Sequence, residues 1–538
     1  MIRRTAFDLP LALFLATAVL GLWTAYDQDA AWAKFWPIVI GVVAFYAVAW
    51  MPERVGRLEP LQVIFAVLPA IVGVYFLLTN NWREPYNATR WLYQQLPQIA
   101  EALPILPGYR LHANTLSGVM AVFVPLQIAA FFNAGARLRP LQAALGLIAI
   151  GFSLAMLILG RSQGAVWALG LTAAGWLLHM GYMRVNRRWA WLMTLATLVV
   201  PLAIGVAFFG ERLLGWRVDR ADVWQNSFAL ASDYPFTGLG LDNFVMPYST
   251  YVLLVHVEHT YHAHNLYLDL WLNQGLPGLI AFVVMLIIAF TRRDVTPQWR
   301  TAALASVTVL ALHGIVDDAL YGYHGGKLVA LMFLPFGLLA RPDAQFAEAS
   351  RAAQAGSLRP TILVFAGVAV VVALAVSAAL PATRAVFYRN LGALEQTKVE
   401  LSAYRLHREG NLQDGMRLRP DVNLQPAIDD YLAALGENPW DAGANRRLAQ
   451  IELTLRQYDQ AHDRLLKAYA AAPYHRATRQ LLGESYAMRG DVAEAVRLWR
   501  TLDLSQDQLT IRMWWYALFT QQEERAKWIE RAIAALGQ

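Results

Sequence analysis

The feature that most constrains this chain is a succession of apolar stretches, each long enough to cross a lipid bilayer, over its first 380 residues. A hydrocarbon core needs about 20 apolar residues per helix, and about eleven stretches qualify. They fall near 9–26, 32–51, 60–79, 111–132, 140–160, 164–183, 189–209, 266–290, 299–317, 326–340 and 361–380. With hydrophobic residues at 57% and charged residues at 16% of the chain, lipid must cover part of the surface. After Leu380 the pattern changes at Pro381, and 384–538 reads as soluble amphipathic helix. The expected fold is all-α: a polytopic membrane bundle at 1–380, followed by a soluble helical-repeat domain at 384–538. Arg3, Arg4, the run from Leu9 to Leu22 and Ala31-Trp32-Ala33 imitate a secretory signal. The spans that follow favour an uncleaved first helix.

Orientation follows from the loops, because Lys and Arg stay on the cytoplasmic side. Arg3/Arg4, Arg54/Arg57, Arg137/Arg139, Arg184/Arg187/Arg188, Arg292/Arg293 and Arg341/Arg351/Arg359 occupy alternate ends of the helix series. The opposite loops are larger and less basic; 210–264 holds three Arg against six acidic residues. This counting puts the N-terminus inside and the 210–264 loop outside, and an odd number of spans leaves the C-terminal domain outside as well. The chain has no cysteine, which excludes disulfides, thiolate nucleophiles and Cys-ligated metals. No basic patch interleaved with aromatic residues points to nucleic acid.

The C-terminal part carries a period of 34 residues: Pro439 recurs as Pro473, Leu448 as Leu482, Ala461 as Ala495 and Leu465 as Trp499. Ala427 and Tyr431 continue it one period earlier. A helix–turn–helix unit of that length, with small residues where helices cross, resembles a tetratricopeptide repeat. Such repeats stack into a curved surface, so a protein or peptide partner is expected there, the alternative being a cap that only stabilises its neighbour.

Residues suited to chemistry gather around the long outer loop. Arg220-Ala-Asp-Val-Trp224 opens a short helix that ends in Asp233-Tyr-Pro-Phe-Thr-Gly-Leu-Gly-Leu-Asp-Asn-Phe244, a Pro/Gly turn. His256, His259, His262 and His264 follow, the last beside Asn265 and just before an apolar helix containing Asn273, Gly275 and Gly278. Bland readings exist for each. Arg220 can pair with Asp219 or Asp222, Arg161 can snorkel at a membrane boundary, and His313 and Asp317 can bond across one helix turn. Several imidazoles close together can bind a metal, although their spacing is irregular.

The order Arg-x-x-x-Trp, Asp-x-Pro-x-x-Gly-x-Gly-x-x-Phe, His-Asn-x-x-Leu, Gly-x-x-Gly resembles the signature block of the O-antigen ligase and polymerase superfamily. Asn114 in His112-Ala-Asn114-Thr-Leu-Ser-Gly, with Pro125, resembles that family's Asn-containing helix start. His313-Gly-Ile-Val-Asp317 resembles its late His-Gly-x-x-Asp. The likeness spans roughly residues 60–340 and does not cover the repeats. There are two departures. Arg161-Ser162-Gln163-Gly164-Ala165 has Gln where the family often has Arg, so Arg161 can substitute only if the helix has not begun there or its long side chain reaches round. Asn273 stands where the family often has Glu.

The resemblance implies a membrane glycosyltransferase of the bacterial inner membrane. It would move a glycan from a polyprenyl diphosphate carrier to a hydroxyl, with inversion and without metal or other cofactor. Arg220 and Arg161 are the candidates for gripping the diphosphate, since a guanidinium fork suits phosphate oxygens. His264 is the candidate base for the acceptor hydroxyl, with His262 second. Asn114, Asn265, His313 and Asp317 complete the candidate substrate-binding set. A lipid-anchored sugar (ligase), a second carrier-linked glycan (polymerase) or a protein Ser/Thr (O-oligosaccharyltransferase) would each serve as acceptor. The rival class is a transporter or scaffold that docks proteins through its repeats; it would call for internal symmetry or charges deep inside several helices.

Overall fold

The computed structural model describes residues 4–51, 60–83, 90–103, 105–135, 138–182, 220–255, 260–292, 295, 297–322, 326–341, 379–402 and 413–537. The expected spans at 189–209 and 361–380, and His256 and His259, lie outside the described residues. No strand occurs among the described residues, and the architecture is the all-α bundle with a helical C-terminal region.

In the first part the main helices, short ones aside, are α1 (Asp8–Thr24), α2 (Gln28–Trp50), α3 (Pro60–Thr79), α4 (Ala113–Ala134), α5 (Pro140–Leu159), α6 (Gln163–Tyr182), α7 (220–233), α8 (Leu266–Thr291), α9 (Pro297–Val316) and α10 (Leu334–Ala340). Among the described residues six helices, α2, α3, α4, α5, α8 and α9, are long and apolar enough to cross a membrane; α1, α6 and the α10 segment are shorter apolar helices. Within the stretch expected as a span near 326–340, the apolar helix Val329–Ala340 is short and has a turn at Phe333, between Val329–Met332 and Leu334–Ala340. Ile40, Val43, Ile71, Leu147, Ile148, Ile158 and Ile287 stay exposed, the surface lipid would cover. Proline occurs inside α2, α3, α4 and α8, as membrane helices tolerate more readily than soluble ones.

The most enclosed of these helices is α4, with 72% of its apolar window buried between α3, α5, α6 and α9. Its first turn therefore opens at the middle of one end of the bundle. There His112 caps the helix, its Nδ1 accepting from the Asn114 N–H at 3.2 Å.

The C-terminal region begins with α11 (Pro381–Leu401) and continues with α12 (Gln425–Glu437), α13 (Ala442–Thr454), α14 (Tyr458–Ala471), α15 (Arg476–Met488), α16 (Val492–Trp499), α17 (Gln506–Trp514) and α18 (Glu523–Leu536). Here α13 and α15 start 34 residues apart, as do α14 and α16, the period read from the sequence. Ala427, Ala461 and Ala495 are buried; Leu448 shares an apolar cluster with Ala427, and Leu465, Leu482 and Trp499 share one with Ala461 and Ala495. These helices lie against the loop that follows α7: Ala393 and Leu394 of α11 share one apolar cluster with Leu230, Tyr234, Leu239, Phe244 and Tyr248.

A candidate active site between the first turns of three helices

Four local structures bring polar side chains to the mouth of α4. The first is the α5–α6 turn. α5 ends at Leu159 and α6 starts at Gln163, so Arg161 lies in the turn, with φ of 53° in the left-handed region. The condition set by the sequence for Arg161 is met, since the helix has not begun there. The second is the start of α7. Arg220 NH1 donates to the Val316 carbonyl at 2.9 Å and NH2 to Asp317 Oδ2 at 3.4 Å. One turn later Trp224 Nε1 donates to the His264 carbonyl at 3.0 Å, which gives the Arg-x-x-x-Trp spacing a physical reason.

The third is the entry to α8. Asn265 caps this helix, its Oδ1 accepting from the N–H groups of Tyr267 and Leu268, while its Nδ2 donates to the Ile315 carbonyl at 2.8 Å. Asn265 thus holds two helix ends together and lines neither cavity described below. Directly before it His264 takes φ of 52°, and its Nδ1 meets Asp317 Oδ1 at 3.0 Å. The fourth is the end of α9, where Asp317 leaves the helix and also accepts from the Asp318 N–H at 3.0 Å.

Two adjoining cavities result, both bordered by Asn114 and Asp317. One, of about 280 Å³, is lined by Arg161, Ser162, Gln163 and Arg220. The other, of about 210 Å³, is lined by His112, Thr260, Tyr261, His262, His264 and Asp318. The first is cationic and the second is rich in neutral polar groups. His313 borders neither. It is buried behind the site, where a Cβ on Gly118 would lie 3.0 Å and one on Gly164 3.4 Å from its ring.

Burial is the largest influence on the imidazoles. It lowers the His264 pKa below its ordinary value of 6.5, joined by His262 and opposed by Asp317. The same effect lowers His262 and His112. Burial alone would raise the Asp317 carboxyl; the His264 hydrogen bond, with Arg220 and both imidazoles, outweighs it and holds the group well below the carboxylate range. Asp318 goes the other way, raised to about 7 by burial and by Asp269. With Asp317 ionised, His264 Nδ1 carries the hydrogen and Nε2 is left as the ring's acceptor.

His262, the second candidate base, stands beside His264. α8 begins at Leu266, and the two rings lie 4.0 Å apart in one cavity. His262 Nδ1 accepts from the His264 N–H at 3.2 Å and lies 3.4 Å from Asp269 Oδ2. One ligand atom each from His262, His264 and Asp317 lie within 4.8 Å of one another, a spacing that a metal ion could use. Here, though, the Asp317 carboxylate is already engaged by His264 and by the Arg220 cation.

Sequence reasoning missed His112 and Asp318. His112 stood in the quoted Asn114 motif, but its place in the cavity depends on its being the α4 cap. Asp318 was overshadowed by its neighbour. Asn273, at the family's Glu position, is buried: its Oδ1 accepts from Lys34 Nζ at 3.0 Å and from the Asp242 N–H at 2.7 Å. It ties α2, the outer loop and α8 together and borders neither cavity.

Guanidinium groups and a hydrogen-bonded imidazole–carboxylate pair thus meet at one end of the all-α bundle. Residues 148–283 match the family model described as O-antigen ligase. The match contains Arg161, Arg220, His262, His264 and Asn265 and supports an enzyme of the O-antigen ligase and polymerase kind; Asn114, His313 and Asp317 lie outside it. No curated protein matches the chain.

Proposed function

We propose that this protein transfers a glycan from a polyprenyl diphosphate carrier to an acceptor hydroxyl, working from the extracytoplasmic side of the inner membrane. The single observation that carries this reading is the meeting of Arg161, Arg220, His264 and Asp317, from four separate segments, at two joined cavities beside the apolar bundle. In this reading the chain has two parts, a transmembrane ligase-like part at 1–380 and tetratricopeptide-like repeats at 384–538.

The acceptor oxygen forms the new bond to the anomeric carbon as the bond from that carbon to the phosphate oxygen breaks. The electron pair leaves with the polyprenyl diphosphate. Arg220 is anchored by Val316 and Asp317, so its cation is fixed before the reaction, and a fixed charge stabilises a developing anion without reorganisation. Arg161 adds a second cation on the same wall. His264 Nε2 takes the acceptor proton, while Asp317 holds the ring through Nδ1 and offsets the imidazolium charge that forms. His262 supports the His264 backbone and shares its cavity. His112, with Nδ1 occupied by the Asn114 N–H, lines the same cavity as His264. No step needs a metal ion. Attack opposite the leaving group gives inversion.

The test is product analysis with purified protein and a carrier-linked glycan, offering in turn a lipid-anchored sugar, a second carrier-linked glycan and a Ser/Thr peptide. Transfer to one class identifies the enzyme as ligase, polymerase or protein oligosaccharyltransferase. Donor left intact with all three acceptors would defeat the proposal, and movement of lipid-linked glycan across a sealed bilayer would favour the transporter class.

A further inference from the structure

The face made by the first helix of each C-terminal hairpin, where a repeat array ordinarily receives a peptide, is occupied by this chain's own outer loop. Asp233 enters between two arginines of α13: Arg446 NH2 reaches its Oδ2 at 2.5 Å and Arg447 Nε reaches the same oxygen at 3.0 Å. Arg447 NH2 also donates to the Tyr234 hydroxyl at 2.7 Å, and its guanidinium lies 3.8 Å from the centre of the Tyr251 ring. Arg446 NH1 donates to the Tyr251 carbonyl at 3.4 Å. The Tyr251 hydroxyl donates to Glu400, which Arg417 holds at 2.7 Å. Leu254, at the end of the Ser249–Leu253 turn, packs into the α13–α18 core. One period on from Arg446 and Gln450, Gln480 and Glu484 of α15 close with Leu254 round a space of about 20 Å³. That is room for about one water.

A rigid path leads from this grip to the candidate site. The Pro235 carbonyl accepts from the Leu276 N–H at 2.9 Å and from Trp271 Nε1 at 3.2 Å, and the Leu239 N–H donates to the Leu272 carbonyl at 2.7 Å. At that point α8 is kinked at Gly275, φ 71°, where a Cβ would stand 2.2 Å from the Phe236 oxygen. The half of α8 before the kink, about 15 Å long at 1.5 Å per residue, runs back to its Asn265 cap beside His264.

We propose that the inner face of the C-terminal helices is an intramolecular receptor for residues 233–254 rather than a docking site for a separate protein, and that Arg446 and Arg447 are positioning residues for His264. Only the second half rests on the transferase reading. The Asp-Tyr-Pro-Phe turn is then a wedge between the helical region and the membrane bundle, and Asp233 has no contact with substrate.

A chain without cysteine offers a direct test in the full-length protein. Val252, 1% exposed on the gripped loop, is replaced by Cys, and its rate of alkylation by a maleimide is measured. Slow labelling is expected in the otherwise intact chain, and labelling at least about tenfold faster after Asp233→Asn or Arg446→Ala. A separate reporter, Ala532→Cys in the core of α18, should stay slow in the Asp233→Asn background, which alters the loop and leaves the helices' own residues intact. Fast labelling of Val252→Cys in the intact chain, or an unchanged rate in both variants, would overturn the receptor. Transfer measured in the same variants tests the link to His264: kcat should fall at least about tenfold while KM for the donor holds. Loosened labelling with unchanged kcat would sever that link and leave the receptor standing.

Discussion

Arg220 and Asp317 at the cavity, and Arg446, Arg447 and Asp233 beneath the C-terminal helices, are the same residue types in similar pairs, yet their surroundings differ. The Arg446–Asp233 pair is 2% and 5% exposed, and Arg447, with no exposure, is bound by Asp233, Tyr234 and Gln396 and stacked on Tyr251. The Arg220–Asp317 pair is 13% and 10% exposed, at the looser distance of 3.4 Å, and opens on a cavity with a second cation. A saturated buried network fixes shape, because removing one member strands the others without water. A pair that opens on a cavity keeps capacity for a ligand. On the proposed function the difference gives a structural part to one and chemistry to the other, although Asp233 and Arg220 both belong to motifs of the same resemblance.

The largest effect should come from breaking the saturated network. Asp233→Asn leaves two buried guanidinium groups without their anion, a loss of about 3–5 kcal/mol for a buried pair. Thermal unfolding in detergent should show a clear drop, and an unchanged midpoint would dissolve the contrast. Arg220→Lys should behave oppositely, with stability near that of the parent and transfer reduced by about 10²-fold, close to Arg220→Ala. Near-normal turnover with Lys would reduce Arg220 to a charge without a fork.

How much of this contrast the sequence showed depends on the kind of signal. The apolar stretches and the 34-residue period are local patterns: α2–α6, α8 and α9 appear where the stretches placed them, and α13 and α15, like α14 and α16, start one period apart. The stretch near 326–340 appears as the shorter apolar helix Val329–Ala340, with a turn at Phe333 that apolar counting does not register. Arg161, Arg220, His264 and Asp317 were legible as motif residues, but Asn265 and Asn273 from the same block turned out to join segments. Whether an amide lines a cavity or caps a helix depends on partners such as Ile315 and Lys34, 50 and 239 residues away. Asp233's partners, Arg446 and Arg447, lie 213 and 214 residues away, beyond any local pattern.

Two smaller effects sharpen the cavity side of the comparison. The base must be neutral to act, and burial sets the His264 pKa below 6.5, so transfer should hold through neutral pH and fall only below that ordinary imidazole value. A decline that begins above pH 7 in the rate of a purified preparation would contradict this. A chelator should leave the rate unchanged, because Asp317 serves His264 and Arg220; loss of activity restored by a divalent ion would make His262, His264 and Asp317 ligands instead.

The central claim, that chemistry is done at the cavity by His264, is tested most directly by single-turnover transfer from a labelled polyprenyl-diphosphate glycan, comparing the parent protein with His264→Ala at saturating donor. The account predicts donor binding within about twofold and a transfer rate constant lower by about 10²-fold or more. Equal rate constants in the two proteins would contradict it.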